Sequence, residues 1–249
     1  MGKLTLTRIA HSTVIIDFDG RCILTDPWFS EKFGYYHGEP YGIALQDLPR
    51  LDAVIVTHGH YDHYDMKAFG RYQDKTVPIV VKRGIGDKAR KAGFTDVREV
   101  DAWESAAIGP ITVTAAPAKH GVPEVTFVLE GFGRTVYFGG DTLLIPELRE
   151  VATRFPRIDL ALVPVNGLMI RPMLNRQVVM NAREAAELCA IIRPRIAVPF
   201  HYAFTGGPLM DRLVLKYSGT ADEFKQVAER RAPDTTVRIL EPGEPLAID

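Results

Sequence analysis

Residues 53–65 read AVIVTHGHYDHYD. Ala53–Val56 is a short apolar run rich in β-branched residues, the pattern of a buried strand. Directly behind it come four candidate metal ligands, His58, His60, Asp62 and His63. Imidazole and carboxylate are the preferred ligands of zinc and similar divalent ions. Residues two apart on a helix face different sides, so His58 and His60 need a loop to converge. Gly59 is expected to let the backbone turn sharply there. A loop that is histidine-rich by chance would not be expected to concentrate four ligands behind a buried strand.

Working outward, three more candidates each follow an apolar run. His120 follows Ile111–Ala115 in AAPAKHG, Asp141 follows Val136–Phe138 in YFGGDT, and His201 follows Arg195–Pro199 in VPFHY. Loops at strand ends are where function is presented. A polar residue buried at such a place is costly unless it is used. Seven ligands exceed what one tetrahedral ion needs, which predicts two ions.

The surrounding pattern sets the fold class. Strands are predicted at Leu4–Ile9, Thr13–Phe18, Arg21–Thr25, Pro78–Val81, Val125–Leu129 and Thr135–Phe138, and again at Ile158–Val163, Val237–Leu240 and Pro245–Ile248. Helices are predicted at Gly86–Ala92 and Pro146–Phe155. Two more open at the capping pairs Asn181/Glu184 and Thr220/Glu223. Early strands followed by β–α alternation imply an α/β fold of two mixed sheets packed face to face, helices outside. No boundary interrupts the pattern, so residues 1–249 are expected to form a single domain.

The chain has 249 residues, 46% hydrophobic and 24% charged, with a formal net charge of −1. Such a chain carries no positive field to hold a polyanion, so no nucleic-acid partner is expected. No apolar run reaches the roughly 18 residues of a membrane span. MGKLTLTRIA is neither a secretory signal nor a myristoylation site, since Leu6 stands where Ser or Thr is required. Cys22 and Cys189 sit in apolar segments and read as buried reduced thiols, which implies a cytoplasmic protein.

The HxHxDH motif at His58–His63, followed in order by His120, Asp141 and His201, resembles the metallo-β-lactamase superfamily. Asp26, in ILTDPWF, matches that family's first motif. The resemblance implies a four-layer αβ/βα sandwich with metals at one edge. It implies that His58, His60 and His120 hold one ion, that Asp62, His63 and His201 hold the other, and that Asp141 bridges them. Asp26 and His11 would support these ligands from behind. Zinc is the default ion, with manganese, iron or nickel equally suited to His/carboxylate sites. True β-lactamases of this fold carry Cys where this chain has Asp141, which argues against antibiotic hydrolysis. Residues 10–29 and 47–65 are similar to the branch containing ascorbate-6-phosphate lactonases and N-acylphosphatidylethanolamine-hydrolysing phospholipase D.

The implied activity is hydrolysis by a hydroxide activated between the two ions, with Asp62 and His201 at the reacting centre. A phosphodiester is the first expected substrate, small or lipid-like. A lactone or carboxylic ester is the alternative, and a non-catalytic metal-holding protein a third reading. In Asn166–Met180, three Met suit an adaptable pocket wall, and Arg171 or Arg176 could receive an anionic group. His37, in FGYYHGEPYG, suits either an aromatic lid over the site or an ordinary surface loop. Tyr61, Lys119 and Tyr202 adjoin ligands and are candidate proton donors. The sequence is compatible with a homo-oligomer.

Overall fold

Alternation in LTLTRIA puts Leu4 and Leu6 on a buried face and Thr5 and Thr7 on a more open one. This segment is the first strand, β1 (Leu4–Ala10), of the computed structural model, which describes residues 1–249. In chain order follow β2 (Thr13–Phe18), β3 (Arg21–Thr25), β4 (Ala53–Val56), β5 (Ile79–Lys82), β6 (Val97–Val100), β7 (Ser105–Ile108), β8 (Ile111–Pro117) and β9 (Val125–Gly131). Then come β10 (Arg134–Phe138), β11 (Leu160–Pro164), β12 (Met169–Ile170), β13 (Arg176–Gln177), β14 (Ile196–Phe200), β15 (Leu215–Lys216), β16 (Thr236–Val237) and β17 (Pro245–Ile248). The helices are α1 (Met66–Phe69), α2 (Asp87–Lys91), α3 (Arg149–Arg154), α4 (Ala182–Ile192), α5 (Pro208–Leu213) and α6 (Ala221–Arg231).

Two seven-stranded mixed sheets result, in the orders β17-β1-β2-β3-β4-β5-β6 and β16-β14-β11-β10-β9-β8-β7. Leu6, Ile16 and Ile55 of the first meet Phe127, Phe138 and Leu162 of the second in one core. Strands β4 and β11 are buried at every residue, because each lies between parallel neighbours and is packed on both faces. In β4, Ala53 and Ile55 face the other sheet, while Val54 and Val56 pack with Met66 and Phe69 of α1 and Ala89 of α2. In β11, Leu160 and Leu162 face inward, while Ala161 and Val163 pack with α3, α4 and α6. These four layers are the αβ/βα sandwich expected from the sequence. Helix α4 begins at the predicted capping box: Asn181 accepts from the Arg183 and Glu184 amides, and Glu184 accepts from the Asn181 amide.

Several details differ from the sequence reading. The closing strand expected at Val237–Leu240 pairs only over Thr236–Val237, and the Leu240 carbonyl instead accepts from the Arg8 side chain. The sequence does not mark strands β6 and β7: VREV is half charged, and SAAI alternates only through small residues. The Asn166–Met180 segment is more than a loop: β12 and β13 join β15 in a small third sheet. Two-residue strands leave no periodic trace. Cys189 is buried and Cys22 half-buried, and both are free. No helix is long and apolar enough to cross a membrane.

Arg8 ties β1 to the segments around Glu39 and Leu240. Its guanidinium is buried, donates to both Glu39 carboxylate oxygens at 2.6 and 2.8 Å, and donates from Nε to Leu240 at 3.0 Å. Glu39 also accepts from the His11 amide at 2.9 Å. Glu39→Ala would leave a buried charge without its partner, which typically costs about 3–5 kcal/mol. The urea midpoint of the metal-free protein should fall accordingly. An unchanged midpoint would show that Arg8 contributes no net stability through this pair.

Candidate metal centre

The parallel strands β3, β4, β10, β11 and β14 deliver their C-terminal ends to one edge, where open α/β sheets present ligand sites. Asp26 follows β3, His58 follows β4, His120 follows β8, Asp141 follows β10 and His201 follows β14. The structure brings His58, His60, Asp62, His63, His120, Asp141 and His201 together there, with His11 from the β1–β2 turn beside them. The chain bends at Gly59 as expected, although Gly59 lies outside the left-handed region. The loop turns through His60, whose carbonyl accepts from the His63 and Tyr64 amides.

Three non-glycine residues of the site do lie at positive φ: His11 at 53°, Asp26 at 34° and His201 at 63°. Such backbone costs about 1–3 kcal/mol per residue and persists only where its surroundings over-determine it. Asp26 shows how. Its amide donates to the Ile55 carbonyl, its carbonyl accepts from Thr13, and its carboxylate accepts from the Thr57 amide, Thr57 Oγ1 and His63 Nδ1 at 2.7–2.8 Å.

The ligand atoms fall into two groups. In the first, His60 Nδ1 lies 3.0 Å from His58 Nε2 and 3.1 Å from His120 Nε2. The outer nitrogens are committed elsewhere. His120 Nδ1 donates to the Val178 carbonyl at 2.7 Å, and His58 Nδ1 donates to Thr57 Oγ1 at 3.0 Å. That leaves both Nε2 lone pairs pointing inward. In the second group, Asp62 Oδ2 lies 3.7 Å from His63 Nε2 and 3.4 Å from His11 Nε2. Asp141 Oδ2 stands between the groups, 3.0 Å from His201 Nε2, 3.3 Å from His63 Nε2 and 3.9 Å from His120 Nε2.

This donor set fits divalent cations. His63 Nε2, Asp141 Oδ1 and both ring nitrogens of His201 and His11 are buried and make no hydrogen bond. Asp26, Asp62, Asp141 and Glu124 are buried carboxylates whose ionic partners are histidines alone, with no Lys or Arg among them. Burial pushes Asp26 and Glu124 toward the neutral acid, whereas Asp62 and Asp141 are held low by their histidines; carboxyl groups gathered in this way suit a cation. Burial holds the His58, His60 and His120 imidazoles below their usual range, which keeps them neutral and able to ligate. Burial also pushes His63 down, but Asp141, Asp62 and Asp26 outweigh it and hold that imidazole above its usual range. Burial pushes Asp141 up, but His201 and His63 more than reverse it. His11 is pushed down to about 3 by burial, reinforced by His201.

A cavity of about 290 Å³ opens onto His60, Asp62, His120 and Asp141. Its walls are largely apolar and include Leu168, Ile170 and Met173 from the small third sheet and its loop, and Phe204, Met210 and Leu215. Arg176 lines it. Arg171 does not, and its Nε donates to the Leu215 carbonyl at 2.8 Å. His37 is not part of the wall either. It is buried and stacked on Trp28 with ring centroids 3.6 Å apart, its nitrogens facing Glu31 and the Trp28 carbonyl. It therefore braces the aromatic loop from inside. Tyr61, Lys119 and Tyr202 also lie outside the wall, and Tyr61 Oη is bonded to Ser30. Sequence reasoning missed Tyr35, the tyrosine that does line the cavity, and Glu124, which touches His58 and Asp141. For Glu124 a signal existed: an acid in PEVTF, immediately before an apolar strand.

Comparison with known proteins identifies the family and the fold. A family model, the beta-lactamase superfamily domain, matches residues 21–202. A UPF0173 protein of Pyrococcus abyssi is 30% identical over 245 residues, covering 94% of this chain and 95% of its own. A UPF0173 metal-dependent hydrolase of Aeropyrum pernix is 26% identical over 98% of this chain and 97% of its own. Among solved structures, Igni18, a metallo hydrolase from the archaeon Ignicoccus hospitalis, shares the fold with a TM-score of 0.76 at 23% identity, over 99% of both chains.

Cations that answer the buried carboxylates should stabilise the folded chain. A protein stripped with a chelator and then given zinc at about 100 times the dissociation constant should gain about 2.7 kcal/mol per site. A thermal scan should show Tm rising with zinc and falling again with chelator. A Tm indifferent to divalent ions would count against a metal centre at this edge.

Proposed function

The chain belongs to the β-lactamase superfamily and, within it, to the UPF0173 family, and from that premise we propose that it is a metal-dependent hydrolase with a dinuclear centre. His58, His60 and His120 would hold one divalent ion and Asp62, His63 and His201 the other, with Asp141 shared. The observation that carries this reading is the place of Asp141 Oδ2, within 3.9 Å of nitrogens from both groups. Zinc is the proposed ion, and manganese, iron or nickel would suit the same donors. Such ions supply an acidified water as nucleophile and positive charge for the substrate oxygen.

The chain's own residues do the rest. Asp62 Oδ2 takes the proton of the attacking water, with the His11 ring packed 3.4 Å from it. Tyr35, on the cavity wall, is the candidate donor to the leaving group. Arg176 is the one cation of the wall and offers a planar fork to an anionic group. The first substrate class proposed is a phosphodiester with an apolar portion. The apolar wall supports it, as do the exposed Phe33, Leu174 and Leu209, next in sequence to the wall residues Gly34, Met173 and Met210. The likeness of residues 10–29 and 47–65 to the lactonase and phospholipase D branch fits either ester class. Lactone or carboxylic ester hydrolysis is the second reading, favoured by the same apolar lining, which admits neutral esters.

Arg176→Met separates the two. For an anionic phosphodiester such as bis-p-nitrophenyl phosphate, kcat/KM should fall about 10- to 100-fold, the loss of a charge-assisted hydrogen bond worth roughly 1.5–3 kcal/mol. Neutral esters and lactones should be nearly unaffected, and metal content should stay at two ions per chain. Equal losses for both classes would make Arg176 structural. No turnover of phosphodiesters by the unaltered protein, with turnover of lactones, would move the assignment to the second reading.

A further inference from the structure

Glu124 precedes β9 in the second sheet, yet its side chain is fully buried against the loop from the first. His58 and Glu124 form an isolated antiparallel bridge, and the Val125 amide donates to the Thr57 carbonyl. Glu124 Oε1 accepts from the Asp141 amide at 2.7 Å and lies 3.2 Å from His58 Nδ1. Oε2 makes no hydrogen bond. Gly140 is at φ +53°, and a Cβ there would come within 2.5 Å of Glu124 Oε1 and 3.0 Å of Thr57 Cγ2. The carboxylate thus fills space that only glycine leaves open. No Lys or Arg pairs with it, so it does not serve an ordinary structural ion pair.

We propose that Glu124 is a positioning residue of the metal centre, whose single oxygen Oε1 orients the His58 ring and holds the Asp141 backbone. This rests on the two-ion reading above. The hydroxyl of Thr57 donates to Asp26 and so can only accept from His58 Nδ1. Both atoms facing Nδ1, Thr57 Oγ1 and Glu124 Oε1, are therefore acceptors. The proton is fixed on Nδ1, and the Nε2 lone pair turns toward His60 and the cation. The same Oε1 restrains the Asp141 amide, so the first sheet's ligand and the shared ligand of the second keep one separation.

The test is a cobalt(II) titration of chelator-stripped protein, followed by the visible absorption of the bound ion. Unaltered protein should take up two ions. Glu124→Gln keeps volume and an acceptor for the Asp141 amide, but its amide cannot become anionic when a cation is bound. The ion of His58, His60 and His120 should bind about 10- to 100-fold more weakly and with an altered spectrum. The other ion should change little, as should the urea midpoint of the metal-free protein. Glu124→Asp, which keeps the carboxyl, should recover part of the loss, and it carries the test if the Gln variant does not fold. Unaltered affinities and spectrum in Glu124→Gln would overturn the proposal. So would equal weakening of both ions with a lowered midpoint, which would make Glu124 a fold residue. No cobalt uptake by unaltered protein would instead overturn the two-ion reading, and this proposal with it.

Discussion

Four carboxylates, Asp26, Asp62, Asp141 and Glu124, are buried along one edge of this fold, with histidines as their only ionic partners. That concentration of carboxyl groups in a low-dielectric place is the constraint to which the rest answers. Carboxylates stripped of water must find hydrogen bonds and a counter-charge. Asp26 shows the first solution, saturated by Thr57 and His63. Asp141 shows the second, surrounded by imidazoles from three strand ends and poised for cations. The two-sheet architecture serves this need. Parallel strands from both sheets end at the same edge, so loops from opposite halves can share one cluster.

Much of this was legible in the sequence, for a physical reason. The central strands β4 and β11 are buried on both faces and so had to be written as continuous apolar runs. A ligand directly behind such a run is conspicuous, and His58, Asp141 and His201 are all of that kind. Helix α4 was equally plain, because a capping box and an apolar stripe are local features. Four layers then follow from the number of faces that need covering.

What stayed hidden depends on contacts between distant segments. Nothing in FGYYHGEPYG says that His37 stacks on Trp28 rather than facing the cavity. Nothing in RPMLNRQ separates Arg176, on the wall, from Arg171, which is bonded to the Leu215 carbonyl. The separation arises from the register of β12 against the adjacent β13 and against β15, whose Leu215 and Lys216 pair with Ile170 and Met169. Glu124 is the clearest case. Its meaning comes from His58 and Asp141, which the chain places on either side of it in sequence and the fold places on either side of it in space.

The two ligand groups also differ in how firmly they are oriented. In the first, His58 and His120 each give Nδ1 to an acceptor, and His60 is held between them. Their rings are set before any ion arrives, so little ordering entropy remains to be lost on binding. In the second, His63 is fixed by Asp26, but both ring nitrogens of His201 and of its neighbour His11 make no hydrogen bond. These two rings, 4.1 Å apart, are held by packing and by backbone at positive φ rather than by acceptors. Steric confinement fixes where a ring lies but not which nitrogen carries its proton. The first group is thus defined in both position and tautomer by its surroundings, whereas the second leaves the tautomers of His11 and His201 to be settled by whatever charge occupies the centre.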